Sequence, residues 1–158
     1  MPPSGTRAHA RPTAIRTGVH RARAWWTAAG LAAAGTGISA YLTVSAARGV
    51  PPVCVGSACA EVAASPFARL IGVPTAAWGL ALYLVVGITA VTGARRHESR
   101  STLATVLFGL AAFGAVFSAY LLWLQVALLR AVCIWCAASD VLWALLLVSA
   151  FGIARSPR

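Results

Sequence analysis

The sequence predicts an all-α integral membrane protein: a four-helix bundle with a cysteine-bearing exoplasmic loop and a short capping helix. Three observations predict it. Charged residues make up only 10% of the 158-residue chain, against about 25% in an ordinary soluble domain. Hydrophobic residues reach 59%, and mean hydropathy is +0.79. These apolar residues are gathered into four runs, each long enough for the ~20 residues that cross a bilayer. A water-soluble core cannot absorb four such runs.

Residues 1–24 are polar and Arg-rich (Arg7, Arg11, Arg16, Arg21, Arg23) with Pro and Gly, and read as a disordered cytoplasmic tail. The first span is predicted at about 25–47, with Trp25, Trp26 and Tyr41 as interfacial anchors. Ser45-Ala46-Ala47 resembles a signal-peptide cleavage site, but the apolar run exceeds the ~7–15 residues of a signal h-region, so the helix is read as retained. A loop from Arg48 to Gly72 carries Cys54 and Cys59. Within it, Ser65 suits an N-cap and Pro66 a first helical position, predicting a short helix with Phe67, Leu70 and Ile71 on one face. The second span is predicted at about 74–93, followed by a basic turn with Arg95, Arg96 and Arg100. The third, at about 102–129, is long enough to tilt. The fourth is predicted at about 133–154, leaving 155–158 as a cytoplasmic tail. Residues 25–154 are thus one transmembrane domain.

The net charge of +10 arises from thirteen Arg against Glu61, Glu98 and Asp140. Such a balance can mark a nucleic-acid binder, but placement points to topology and no nucleic-acid partner is expected. With both termini cytoplasmic, ten Arg fall on that side: five in the tail, three in the basic turn and two at the C-terminus. Only Arg48, Arg69 and Arg130 fall opposite. That asymmetry sets the orientation in a cell membrane. All four cysteines then face the exoplasmic side, where disulfides form and persist.

Cys133-Ile134-Trp135-Cys136 is a Cys-x-x-Cys opening a helix. The spacing brings two sulfurs together across one turn, and a helix N-terminus favours the thiolate, the nucleophile of disulfide exchange. A structural zinc site would need four converging ligands. His9, His20 and His97 all fall on the cytoplasmic side, so no metal is expected. Cys54-x4-Cys59 lies in the loop on the same side as the helical pair. A mobile pair beside a helical pair suits a relay; two static disulfides are the alternative, and that alternative does not explain why one pair opens a membrane helix.

The ordered run Cys54…Cys59, Ser65-Pro66-Phe67-Ala68-Arg69-Leu70, Gly72-Val73-Pro74, Trp78-Gly79 and, far downstream, Cys133-x-x-Cys136 resembles the vitamin K epoxide reductase family in its bacterial form. The resemblance covers about residues 25–154. It fits better than the other four-helix disulfide–quinone type, which carries its Cys-x-x-Cys in the first exoplasmic loop. It implies a bundle enclosing a quinone, menaquinone or ubiquinone, at the exoplasmic end. Cys136 would face the quinone ring with Cys133 as its partner. Cys59 would exchange with Cys133, and Cys54 would take electrons from a thioredoxin-like protein. Ser65 would matter to the active-site cap. The Cys54–Cys59 spacing is shorter than in the animal enzymes. Many bacterial members carry a fused thioredoxin-like domain; here the partner is expected to be a separate, DsbA-like protein. Epoxide reduction would use the same site.

Further candidates follow from position. Asp140 lies one turn beyond Cys136 on the same face. It is either a proton acceptor for quinone chemistry or a residue hydrogen-bonded near the interface. Thr75 opens the second span, either as a cap or as a donor to a quinone carbonyl. Trp78, Trp123, Trp135 and Trp143 either flank an aromatic ring or anchor at the interface. Arg69 snorkels or contacts headgroups. The rival reading is a metal carrier with the four cysteines as ligands, against which stands the absence of His or Met on that side.

Overall fold

The computed structural model describes residues 12–54, 56–96 and 100–155. Residues 1–11 of the expected tail, His97 and Glu98 in the basic turn, and 156–158 lie outside the described residues. Helix α1 (Pro12–Arg48) begins thirteen residues before the expected first span. Pro12 occupies a first helical position, where its missing N–H costs nothing, and the Ala and Arg that follow are strong helix formers. Residues 12–24, expected as irregular tail, are therefore helical.

Among the described residues, four stretches are long and apolar enough to cross a membrane: Ala22–Arg48, Thr75–Arg95, Ser101–Leu129 and Ile134–Arg155. Each reaches about 30 Å or more at 1.5 Å per residue, enough for the hydrocarbon core. They comprise the second part of α1, α3 (Thr75–Arg95), α4 (Arg100–Leu124) with a π-helical turn Gln125–Leu129, and α5 (Ile134–Arg155). A short helix, α2 (Ala58–Ala64), lies between α1 and α3. The long helices close a ring in the order α1, α3, α4, α5, each packed on its two neighbours.

Without a hydrophobic drive between helices in lipid, close packing depends on small residues at the contacts. Ala28, Ala32, Ala90, Ala111 and Ala150 are all buried in the seam. Glycines admit the large rings: a Cβ at Gly35 would run into Tyr83, one at Gly93 into Trp25, and one at Gly114 into Trp143. Trp25 is 1% exposed. It is a core residue and not the expected interfacial anchor, because Gly93 provides the recess that holds it. Trp143, 4% exposed, is likewise internal and stacks on Tyr83 at 4.3 Å.

The connection between α1 and α3 corrects one expectation. The predicted helix bearing Phe67, Leu70 and Ile71 does not form. A 3-10 turn, Pro66–Ala68, gives way to a small hairpin in which β1 (Arg69–Leu70) pairs antiparallel with β2 (Val73–Pro74). The Ile71–Gly72 turn has φ of 55° and 81°, the double positive-φ geometry of a two-residue hairpin turn. Gly72 takes it freely, and it stops any helix. Ser65 makes no N-cap bond to the 3-10 turn. Its Oγ instead donates to the Val62 carbonyl at 2.7 Å, closing α2. The short helix at the bundle mouth is therefore α2, which carries Cys59.

Candidate active site

The last turn of α4 and the first of α5 build the helical cysteine pair. Gln125 opens the π-helical turn, and Arg130, at φ 50°, ends it with its N–H on the Gln125 carbonyl. The chain then reverses into Cys133. The Cys133 carbonyl accepts the Ala137 N–H at 3.0 Å, so Cys133 is the N-cap of α5 and Cys136 its third residue. In that geometry the cap side chain meets the otherwise unpaired N–H groups of the first turn. The Cys133 sulfur accordingly takes hydrogen bonds from the Cys136 thiol and from the backbone N–H groups of Cys136 and Trp135. These donors, the Cys136 thiol foremost, pull Cys133 down from an ordinary 9.0 to about 6, against the opposing effect of burial. The sulfur just ahead of the span is thereby held as a thiolate near neutral pH.

The loop pair is joined as a Cys54–Cys59 disulfide, while Cys133 and Cys136 are free thiols. Cys59 is buried in α2, and its Sγ lies 3.2 Å from the Cys133 Sγ. Residues 74 positions apart in sequence thus meet sulfur to sulfur. Cys54 is half-buried and on the outer side of the disulfide. The three sulfurs of Cys54, Cys59 and Cys133 lie within 4.8 Å of one another. Two of them are spent on a covalent bond, which leaves the group without the free thiolates a metal needs.

Beneath the cysteines lies a cavity of about 510 Å³. Its wall is largely apolar (Leu42, Phe117, Leu121, Trp143), with Cys59, Cys133 and Cys136 at one side. Polar groups converge on it from separate helices: Ser65, Thr75, Ser118, Gln125, Ser139 and Asp140. An apolar chamber with a few converging polar groups is the usual form of a small-molecule site. A second, almost wholly apolar groove between α3 and α4 shares Gly79, Phe117 and Trp143 with the first.

Most of the expected site residues come together here. Cys59, Ser65, Thr75, Cys133, Cys136 and Asp140 all line the main cavity. The Thr75 hydroxyl donates to the Phe67 carbonyl at 2.8 Å. Its one hydrogen is committed to tying the 3-10 turn to α3, which leaves it only an acceptor toward the cavity. Trp78 is 47% exposed and lines the second groove rather than the main chamber. Asp140 accepts a hydrogen bond from Ser118, and its other oxygen is buried without a partner among the described residues. Two residues escaped the sequence reading. Gln125 is buried, and its Oε1 accepts the Cys133 backbone N–H at 2.9 Å. Ser118 is buried against Asp140. Both are polar residues inside an apolar span, and that signal alone pointed to them.

The fold and the site define the class: a multi-pass membrane protein with a thiol–disulfide cluster at the mouth of an apolar chamber. The model of the vitamin K epoxide reductase family matches residues 26–151. The chain belongs to that family. Its members are oxidoreductases that generally use quinones as electron acceptors and generally work with a thioredoxin-like partner. The cysteine cluster accords with a redox role in this chain.

Proposed function

We propose that the protein is a thiol–quinone oxidoreductase of the cell membrane, drawing electrons from a separate exoplasmic thioredoxin-like dithiol protein and delivering them to a membrane quinone. The observation that carries this reading is the 3.2 Å contact between Cys59 and Cys133 at the edge of a chamber that Cys136 also lines. It joins an outward-facing pair to an inward-facing one. The distribution of Arg supports an exoplasmic position for the cysteines.

In the forward direction a partner thiolate attacks Cys54, opens the Cys54–Cys59 disulfide and leaves as its own disulfide. The Cys59 thiolate then attacks Cys133 of an oxidised helical pair, releasing Cys136. Cys54 attacks Cys59, restoring the loop disulfide and freeing Cys133. Two electrons have now moved inward, and the result is the arrangement observed: loop pair oxidised, helical pair reduced. The Cys136 sulfur adds to a quinone ring carbon as its thiol proton passes to a quinone oxygen. Cys133, already favoured as a thiolate, attacks the Cys136 sulfur and breaks the carbon–sulfur bond. The Cys133–Cys136 disulfide forms, and the two electrons leave on the ring, which takes two protons as hydroquinone. Asp140 is the group on the cavity wall suited to carry a proton to a quinone oxygen. The second groove offers an apolar exit for an isoprenoid tail beside Trp78. The physiological consequence is disulfide formation in exported proteins.

The test is quinone reduction by the detergent-purified protein with a reduced thioredoxin-like donor. Wild type should turn over, Cys136→Ser should not, and Cys54→Ser should lose the protein donor. Metal copurifying with an inactive wild type would favour the carrier reading instead.

A further inference from the structure

The described residues of the loop that bears Cys54 have little regular structure, yet one of them is held at both backbone polar groups. The Val53 N–H donates to the Tyr41 hydroxyl at 2.9 Å. The Val53 carbonyl accepts the Trp135 indole N–H at 2.8 Å. Tyr41 comes from α1 and Trp135 from α5, and their rings touch at 5.1 Å with a tilt of 54°. The Val53 side chain is itself 78% exposed, so packing of that side chain does not fix the residue; the two hydrogen bonds do. Val53 immediately precedes Cys54, and Trp135 lies between Cys133 and Cys136.

We propose that Tyr41 and Trp135 are positioning residues for exchange between the two cysteine pairs, a latch that keeps the Cys54 strand over the Cys-x-x-Cys turn. The proposal rests on the relay reading above. Its importance is greatest when the loop disulfide is open. The chain around Cys54 then loses its covalent tether to Cys59, while the Cys59–Cys133 mixed disulfide still has to be resolved by the Cys54 thiolate. Cys54 attacks Cys59, the Cys59–Cys133 bond breaks, and Cys133 departs as the thiolate. With Val53 released, Cys54 samples a larger volume and meets Cys59 less often, in the manner of any lost proximity.

The experiment begins with protein reduced at all four cysteines and mixed in detergent with excess short-chain ubiquinone. Wild type should oxidise in two phases: two electrons from the helical pair, then two from the loop pair by exchange. Tyr41→Phe removes the acceptor for Val53 but keeps the ring on Trp135. Its first phase should match wild type. Its second phase should slow about fivefold, the worth of one ordinary hydrogen bond, and the Val53 amide should exchange with deuterium faster by a similar factor. An unchanged second phase, or an unchanged Val53 exchange rate, overturns the latch. A quinone-free arm uses Cys133→Ser/Cys136→Ser protein, in which diamide can join only Cys54 and Cys59. Adding Tyr41→Phe should slow that bond about fivefold, and no slowing again overturns the proposal. A wild type that reduces no quinone sinks the proposed acceptor, and the diamide arm then decides the latch alone.

Discussion

The side-chain carbonyl of Gln125 accepts the Cys133 backbone N–H at 2.9 Å, and both residues are buried. Through its backbone carbonyl Gln125 also receives the N–H of Ala131 at 3.2 Å. One residue therefore ties the end of α4 to the turn that presents the helical cysteines. Cys133 stands where it does, against Cys59, because the turn is pinned at two points.

Removing one of those points should be felt in both stability and exchange. Gln125→Leu keeps the volume but leaves a buried N–H without an acceptor, which costs about 1–3 kcal/mol. The expected result is a lower thermal midpoint in detergent together with slower Cys59–Cys133 bond formation. A variant as stable as wild type would mean that water replaces the amide and that the turn does not depend on it.

The Cys133 thiolate makes a prediction about pH. Its pKa is lowered to about 6, so the reactive form is present above that value and is lost as pH falls through it. The rate of Cys133 alkylation, with the loop disulfide intact, should rise through pH 6 and be nearly flat from about pH 7, where an ordinary thiol is still climbing. Because the Cys136 thiol is the foremost donor, Cys136→Ala should move the midpoint upward. Mass-resolved alkylation across pH 5 to 9 measures both. A midpoint near the ordinary thiol value in the native protein would remove the basis for Cys133 as the resolving nucleophile.

How much of this was legible in the chain depends on whether the information is local. The all-α class with four long apolar helices follows from run length, and the described residues hold four such helices; the Cys-x-x-Cys spacing falls at the start of α5. The hairpin was not legible, because Phe67, Leu70 and Ile71 satisfy a helical period as well as they satisfy a turn. Only the positive φ at Ile71 and Gly72 decides between them. Trp25 was misplaced for a different reason. A Trp near the end of an apolar run suits the interface equally well, and its burial depends on Gly93, far along the chain. Gln125, Ser118 and the Tyr41–Val53–Trp135 contact are products of tertiary packing. Sequence can flag such residues as polar in an apolar span but cannot name their partners.

Those glycine recesses are testable on a single helix. A Cβ at Gly114 would enter the Trp143 ring, whereas one at Gly109 would meet nothing within 4 Å. Gly114→Ala should therefore destabilise by about 1–3 kcal/mol through overpacking, while Gly109→Ala should be close to neutral. Trp143 lines the main cavity, so Gly114→Ala should also weaken quinone use, read as a raised KM. Equal thermal midpoints for the two variants would show that the α4–α5 seam relaxes freely.

Asp140 offers the sharpest separation between chemistry and structure. Ser118 donates to one carboxyl oxygen; the other is buried without a partner among the described residues, on a residue that lines the cavity. On the proposed reaction, hydroquinone formation would consume two protons in a chamber that is otherwise largely apolar. A positioned acid there is worth on the order of 100-fold or more in rate. Asp140→Asn keeps the shape and the acceptor for Ser118 but cannot pass a proton. It should slow quinone reduction about 100-fold while leaving Cys133 alkylation and the Cys59–Cys133 exchange unchanged. Ser118→Ala should do the reverse, lowering the thermal midpoint by leaving the carboxyl less well paired, with a smaller loss of turnover. If Asp140→Asn reduces quinone at the wild-type rate, the protons reach the ring by another route, and the Asp140–Ser118 pair serves only to join α4 to α5.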